Sequence, residues 1–98
     1  MKVIWKIIKK KEKVYIHYFN NGNRYEGDWK NDKFEGKGIY YCKDGDKYEG
    51  DWKNDKKEGN GIIYYNNGEK QKGNYSNDKP IEKHALLKNN GEIEIINI

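Results

Sequence analysis

The sequence predicts an all-β chain built of consecutive antiparallel β-hairpins, and three observations support this prediction. The octapeptide YEGDWKND occupies residues 25–32 and returns unchanged at residues 48–55, 23 positions later. Inside each copy, aromatic or glycine residues alternate with charged ones, and a period of two indicates a half-buried strand. Each copy ends in an Asn-Asp pair, and both residues tolerate the positive φ that a two-residue hairpin turn needs.

The repeat extends beyond the two matching copies, and fixed-period similarity indicates a repeat architecture. Glycines recur in phase at Gly22, Gly45, Gly68 and Gly91. We therefore predict a single domain over residues 1–98 that consists of four units. These are a degenerate N-terminal cap repeat at 2–24, repeats at 25–47 and 48–70, and a degenerate C-terminal cap at 71–98. Terminal units of stacked proteins are usually atypical, because one side of each meets water.

The turns fix the expected strand register. A two-residue turn at Asn31-Asp32 leaves three cross-strand pairs on one face. These expected pairs are Tyr25 with Gly38, Gly27 with Gly36, and Trp29 with Phe34.

The odd repeat length requires one extra residue per unit, because side chains alternate between the two faces of a strand. A three-residue loop at 43–45, with Gly45 left-handed at a bulge, supplies that residue. Tyr48 is then expected beside Tyr40, and Trp52 beside Gly36. Large rings would thus cover bare backbone on neighbouring strands. The glycines to which we assign this structural role are Gly27, Gly36, Gly38, Gly45, Gly50, Gly59, Gly61 and Gly68.

The aromatic face is the candidate binding surface. The sequence offers no helix of convincing length to cover it, and exposed apolar patches on small proteins usually mark binding sites. The predicted partner-binding residues are Tyr25, Trp29, Tyr40, Tyr48 and Trp52, with Tyr41 and Tyr64 on the reverse face. Trp29 is expected to be more exposed than Trp52, since it faces the degenerate first unit. The alternative is that these rings only cover glycines and stabilise the sheet.

The two inner units resemble the MORN repeats, whose pattern is close to Tyr-Glu-Gly-x-Trp, a turn, and Gly-x-Gly before an apolar strand. The matching stretches are YEGDWKNDKFEGKGIYY and YEGDWKNDKKEGNGIIYY. The resemblance implies an elongated single-layer antiparallel sheet with a grooved face, without catalytic residues or cofactors. It also implies a scaffold or targeting role, beside membranes or in cytoskeletal assemblies. One departure recurs, because Asp32 and Asp55 stand where the family commonly has glycine.

The charge is concentrated at the N-terminus. Residues 1–13 hold six lysines and one glutamate, a net charge of +5, so the remaining residues carry −1 of the total of +4. Apolar residues between these lysines could press on an anionic lipid surface. The candidate lipid-binding residues are Lys6, Lys9, Lys10, Lys11 and Lys13. The alternative is a capping strand whose lysines protect an open sheet edge. Nucleic acid is a weaker hypothesis, because acidic residues flank the aromatic face and repel phosphate.

Few residues suggest chemistry, and we expect neither a metal site nor an enzyme. His17 and His84 fall in different units, and no motif unites them. Asp44 and Asp46 flank Gly45 without the EF-hand order of ligands, so a turn is the better interpretation. The single cysteine, Cys42, excludes an internal disulfide and is expected to be structural.

The expected location is the cytoplasm, at the cytoskeleton or at a membrane surface. A lone cysteine fits a reducing compartment. No apolar run approaches the ~20 residues that a transmembrane helix needs, and no signal-peptide pattern opens the chain.

The C-terminal unit is ambiguous. Repeat phase favours a strand over residues 78–90, whereas Asp78 as an N-cap and Pro80 in a first turn would frame a short helix. Residues 92–98 read as a further edge strand, which is apolar and a candidate for self-pairing between chains.

Three functions are consistent with these features. The first is a non-enzymatic scaffold or adaptor that binds a protein partner through the aromatic and glycine face. The second is a module that targets anionic phospholipid at a membrane surface. The third is an accessory or inhibitory subunit of an enzyme or toxin.

Overall fold

A computed structural model describes residues 2–9 and 12–98, with side chains from residue 16 onward. In that part of the chain, nine antiparallel strands form one sheet, and each strand pairs with its neighbours in sequence. The strands are β1 (Lys2–Lys9), β2 (Glu12–Phe19), β3 (Arg24–Lys30), β4 (Lys33–Tyr41), β5 (Lys47–Lys53), β6 (Lys56–Tyr64), β7 (Lys70–Ser76), β8 (Lys79–Leu87) and β9 (Ile93–Asn97). The predicted all-β sheet of consecutive hairpins is confirmed.

The sheet is one curved layer that is slightly less compact than a globular domain of the same length. Its extents are 39 × 29 × 24 Å and its radius of gyration is 14.3 Å, compared with about 13 Å for a compact domain of this length. Each predicted unit supplies one hairpin, and the C-terminal unit adds β9. The strand prediction for residues 78–90 is correct, since β8 lies within them. None of the described residues forms a helix long and apolar enough to cross a membrane.

Both predicted turn types are present. Asn31 and Asp32 have φ values of 52° and 62°, as a type I′ hairpin turn requires. Cys42 N–H donates to the carbonyl of Asp46 at 2.8 Å, and Gly45 N–H donates to that of Cys42 at 3.0 Å. Gly45 has a φ of 103°. The three-residue loop with a left-handed glycine is therefore confirmed.

The register within each inner hairpin differs from the prediction, because a bulge interrupts it. The pair Trp29 and Phe34 is confirmed, but Gly27 pairs with Gly38 and Tyr25 with Tyr40. The expected pairs of Tyr25 with Gly38 and of Gly27 with Gly36 are wrong.

The cause of the bulge is the left-handed backbone of Gly36, whose φ is 75°. This conformation turns Lys37 N–H onto Asp28 Oδ2 at 3.2 Å. The expected neighbours between hairpins, Tyr40 with Tyr48 and Gly36 with Trp52, are confirmed.

The turn aspartates Asp55 and Asp78 each bind their hairpin to the one before it. Phe34 N–H donates to Asp55 Oδ1 at 2.7 Å, and Asp55 N–H donates to the carbonyl of Phe34 at 3.1 Å. Lys57 and Asp78 repeat both bonds, each at 3.0 Å. A glycine at this turn position would lack the carboxylate, so the structure explains why aspartate stands there.

The loops at the opposite end of the hairpins form a second set of bonds at the repeat spacing. Lys43 N–H donates to Asn23 Oδ1 at 2.8 Å, and Asn66 N–H donates to Asp46 Oδ1 at 2.7 Å. The hairpins are thus held to one another at both ends, which fixes the spacing of the side chains on the face between.

Candidate functional site

The core is a set of aromatic rings on one face of the sheet. Tyr25, Tyr48 and Trp52 are exposed by only 0%, 4% and 6%, and they pack with Phe34 and Tyr75. Edge-to-face contacts join them, such as Tyr48 with Trp52 at 5.1 Å between centroids. Three of the five predicted partner-binding residues therefore belong to the core, because the curved sheet and neighbouring rings cover them without any helix.

These rings lie on glycines, as the sequence predicts. A Cβ at Gly38 would collide with the ring of Tyr25, and one at Gly61 with the ring of Tyr48. Tyr25 Oη donates to the carbonyl of Asp28 at 2.9 Å. Trp52 Nε1 donates to the carbonyl of Gly38 at 3.1 Å. Burial and hydrogen bonding together fix each ring in one position.

His84 takes over the role of these tyrosines in the C-terminal unit. Its ring is fully buried and covers Gly73. Its Nε2 donates to the carbonyl of Asn74 at 2.9 Å, and its Nδ1 accepts from Gln71 Nε2 at 2.9 Å. In the inner repeats the ring lies on the first strand of the hairpin and the glycine on the second. Here the ring lies on the second strand and the glycine on the first. His84 therefore supports the sheet through its ring and its two hydrogen bonds.

Trp29 and Tyr40 are the two predicted contact residues that remain half-buried. Trp29 stacks on His17 with ring centroids 3.7 Å apart. Its greater exposure relative to Trp52 is confirmed. Tyr40 packs against Trp52 at 6.0 Å between centroids, and Tyr40 Oη accepts a hydrogen bond from Asn23 Nδ2 at 3.0 Å.

A groove of ≈ 610 Å³ crosses this face beside the core rings. Trp52 and Tyr48 form part of its floor. Its half-buried apolar lining consists of Phe19, Tyr40, Cys42, Ile63 and Tyr65. The volume and the mainly apolar lining are typical of ligand-binding clefts. Tyr25 and Trp29 do not line it.

Sequence reasoning missed Phe19, Ile63 and Tyr65. Phe19, Cys42 and Tyr65 are spaced by 23 residues, and each directly follows or ends the second strand of its hairpin. The repeat phase was therefore the signal that could have found them. The repeat phase was hard to recognise at these positions because Phe19, Cys42 and Tyr65 are three different residue types.

The rim of the groove carries three aspartates and one lysine, Lys57. Asp46, Asp55 and Asp78 each accept a backbone hydrogen bond from an adjacent hairpin. Lys57 Nζ lies over the rings of Tyr48 and Tyr75, at 5.1 and 5.5 Å from their centroids. The cleft thus combines aromatic rings with both signs of charge.

Cys42 lines the groove as a free thiol. Burial raises its pKa above the ordinary value, and the carboxylates of Asp44 and Asp46 raise it further. The thiol is therefore protonated at neutral pH and a weak nucleophile. No group of His, Cys, Asp and Glu able to hold a metal ion occurs among the residues that the structure describes.

The reverse face has a different character. Arg24 and Lys47 lie on either side of the Tyr41 ring, at 3.8 and 5.9 Å from its centroid, and Lys47 also contacts Tyr64 at 4.7 Å. Lys37 and Asp51 form an ion pair there. Tyr41 and Tyr64 thus lie on the reverse face, as predicted, and their rings are engaged with cations.

The predicted lipid-binding residues fall outside the described side chains. Lys10 and Lys11 are not described, and Lys6, Lys9 and Lys13 are described only as backbone. The lipid hypothesis therefore stays a prediction from sequence.

We expect Tyr75→Phe to stabilise the protein by about 1 kcal/mol, because removing a buried hydroxyl without a partner avoids its desolvation cost. Tyr75 Oη is buried, and no hydrogen-bond partner is found for it among the described residues. Urea denaturation at neutral pH measures the change. A clear loss of stability would show that the hydroxyl contributes to the fold.

The same substitution is expected to change the pH dependence of stability at alkaline pH. Burial, assisted by Tyr65, raises the pKa of Tyr75 to about 12. The folded state thus favours the neutral phenol. The stability of the folded state that depends on a neutral Tyr75 is fully present below pH 10 and is lost as the pH rises toward 12. Denaturation curves of Tyr75→Phe are expected to depend less on pH in that range than those of the wild type.

The fold and the groove define a repeat protein in which stacked β-hairpins present one aromatic face. A family model described as MORN repeat matches residues 25–47 and 48–70. These two units are therefore MORN repeats. Repeats of this family commonly bind proteins or membranes. No curated protein shows significant similarity to the chain.

Proposed function

We propose that the protein is a non-enzymatic interaction scaffold that binds a segment of a protein partner in the aromatic groove. The observation that carries this proposal is the ≈ 610 Å³ cleft with its half-buried apolar lining. Such a cleft offers anchoring sites for one or two apolar side chains, and a few such anchors usually supply most of the binding energy.

The floor of the groove favours binding without large rearrangement. Trp52 is fixed by its hydrogen bond to Gly38, and the turn and loop bonds hold the hairpins on either side. A pre-formed cleft loses little conformational entropy on binding.

The charged residues at the rim of the groove favour binding of a partner over catalysis. The carboxylates of Asp46, Asp55 and Asp78 are already occupied by backbone N–H groups, so they act first as structural acceptors. Their charges, with that of Lys57, are suited to orienting a polar segment around the apolar anchors.

The proposal leaves the role of the partner open. An accessory or inhibitory subunit would use the same groove. Membrane targeting rests on the basic N-terminal lysines alone, and no described side chain adds support for it.

Selection of peptides from a random displayed library on the folded protein tests the proposal. We expect enriched peptides with aromatic or aliphatic anchors, and we expect Tyr40→Ala to weaken their binding by at least about tenfold. Tyr41→Ala is the matched control, because it removes a half-buried ring from the next position of the same strand on the reverse face. Thermal melts of both variants separate lost binding from lost folding.

Failure to enrich any peptide would contradict the proposal. Equal losses of affinity in Tyr40→Ala and Tyr41→Ala, with both variants folded, would also contradict it, since they would place binding outside the groove.

A further inference from the structure

The outer edge of β9 differs from an ordinary protected sheet edge. Among the described residues, β9 pairs with β8 on one side and with nothing on the other. Natural edge strands usually carry lysine, proline or a bulge that blocks pairing with another chain. β9 has the sequence IEIIN, without lysine, proline or a bulge, and its one charged residue, Glu94, is paired with Lys88 of its own chain.

The hydrogen bonds to β8 show which backbone groups face outward. Ile98 N–H donates to the carbonyl of Glu82 at 3.1 Å, and Lys88 N–H donates to that of Glu92 at 2.9 Å. Because bonded positions alternate along an antiparallel strand, even-numbered residues of β9 face β8. The N–H and C=O groups of Ile93, Ile95 and Asn97 therefore point to the open edge.

These three residues make the edge complementary to itself. A two-fold axis through Ile95 would place Ile95 opposite its own copy, and Ile93 opposite Asn97. All outward N–H and C=O groups of the three residues would then be bonded between the two strands. A shift of two residues in either direction leaves some of them unpaired, so one register is preferred.

The side chains agree with the same register. Ile93 and Ile95 are 66% and 57% exposed, and Leu87 on the paired strand adds to the same apolar patch. Across the axis, Glu94 would oppose Ile96, so no like charges meet directly. The charge of Glu94 is also compensated by Lys88 Nζ at 3.2 Å.

We infer that β9 pairs antiparallel with β9 of a second copy of this chain, which extends the sheet across a two-fold axis at Ile95. This interface is separate from the groove and does not depend on the proposed function. A two-fold contact is closed, so it yields a dimer and not a filament.

Sedimentation equilibrium of the wild type and Ile95→Lys tests the inference. We expect a concentration-dependent dimer for the wild type. In Ile95→Lys, two like charges meet at the axis, and the dissociation constant is expected to rise about tenfold or more. Ile95 is largely exposed, so the fold is retained, and circular dichroism verifies this. Tyr18→Lys, which places the same charge at an exposed ring on β2, is the matched control and should dimerise normally.

Charge complementation makes the test specific for the axis. Ile95→Glu alone should also dissociate, whereas an equimolar mixture of Ile95→Lys and Ile95→Glu should form a heterodimer. Hydrogen exchange adds a backbone readout, because the amides of Ile93, Ile95 and Asn97 should become protected only as the protein concentration rises.

Several results would overturn the inference. These are a wild type that remains monomeric at all concentrations, a dimer that Ile95→Lys does not weaken, and open-ended oligomers in place of a dimer. Failure of the mixture to associate would overturn the two-fold register.

Discussion

Replacing Trp52 by alanine is expected to lower the free energy of unfolding by about 3–5 kcal/mol, the range for removing a well-buried aromatic side chain. Trp52 is 6% exposed and contacts the rings of Tyr25, Phe34, Tyr40 and Tyr48. Its indole N–H also satisfies the carbonyl of Gly38. The substitution therefore leaves a cavity and removes this side-chain hydrogen bond. Chemical denaturation followed by far-UV circular dichroism measures the loss.

Trp29→Ala is the natural control, because Trp29 holds the equivalent position one repeat earlier. It is half-buried and stacks on His17, so we expect a smaller loss of about 1–3 kcal/mol. Equal losses of unfolding free energy in the two variants would mean that the equivalent position in the repeat, and not burial, sets how much each tryptophan stabilises the fold.

Gly61→Ala is expected to destabilise the protein by about 1–3 kcal/mol through overpacking. The added Cβ would overlap the ring of Tyr48. The backbone φ of Gly61 is not in the left-handed region. Steric conflict with the ring is therefore the sole expected cause, and urea denaturation measures it.

A double-mutant cycle isolates that cause. Tyr48→Ala removes the ring. In a protein that already carries Tyr48→Ala, Gly61→Ala should therefore lower the free energy of unfolding much less, and the losses of the two single variants should not add. Additive losses would contradict direct contact between ring and glycine. Gly73 would then also need another explanation, because the ring of His84 covers it in the same way.

Much of the fold was readable from the sequence because its signals are local and repeated. The Asn-Asp turns and the left-handed Gly45 follow from backbone preferences of single residues, and the pairing of Tyr40 with Tyr48 follows from them. The register inside the inner hairpins was not readable. It depends on a bulge at Gly36 and on the bond from Lys37 N–H to Asp28 Oδ2, and a glycine within a strand is compatible with several geometries.

The candidate site was readable only in part. The sequence identified the aromatic face, but it could not separate buried rings from half-buried ones, because burial depends on contacts between different hairpins. Tyr25 and Trp29 occupy one strand, yet only Tyr25 is fully buried. Ile63 and Tyr65 were not predicted, because they enter the groove through the stacking of neighbouring hairpins and belong to no sequence motif.

Deeply buried rings support the sheet, while the half-buried lining of the groove is the proposed binding site for the partner. Titration of the isotope-labelled protein with a selected peptide, followed by nuclear magnetic resonance, tests it most directly. We expect chemical-shift changes concentrated at Phe19, Tyr40 and Ile63. Shifts concentrated at Ile39 and Ile62, which line a cleft on the reverse face, would contradict it.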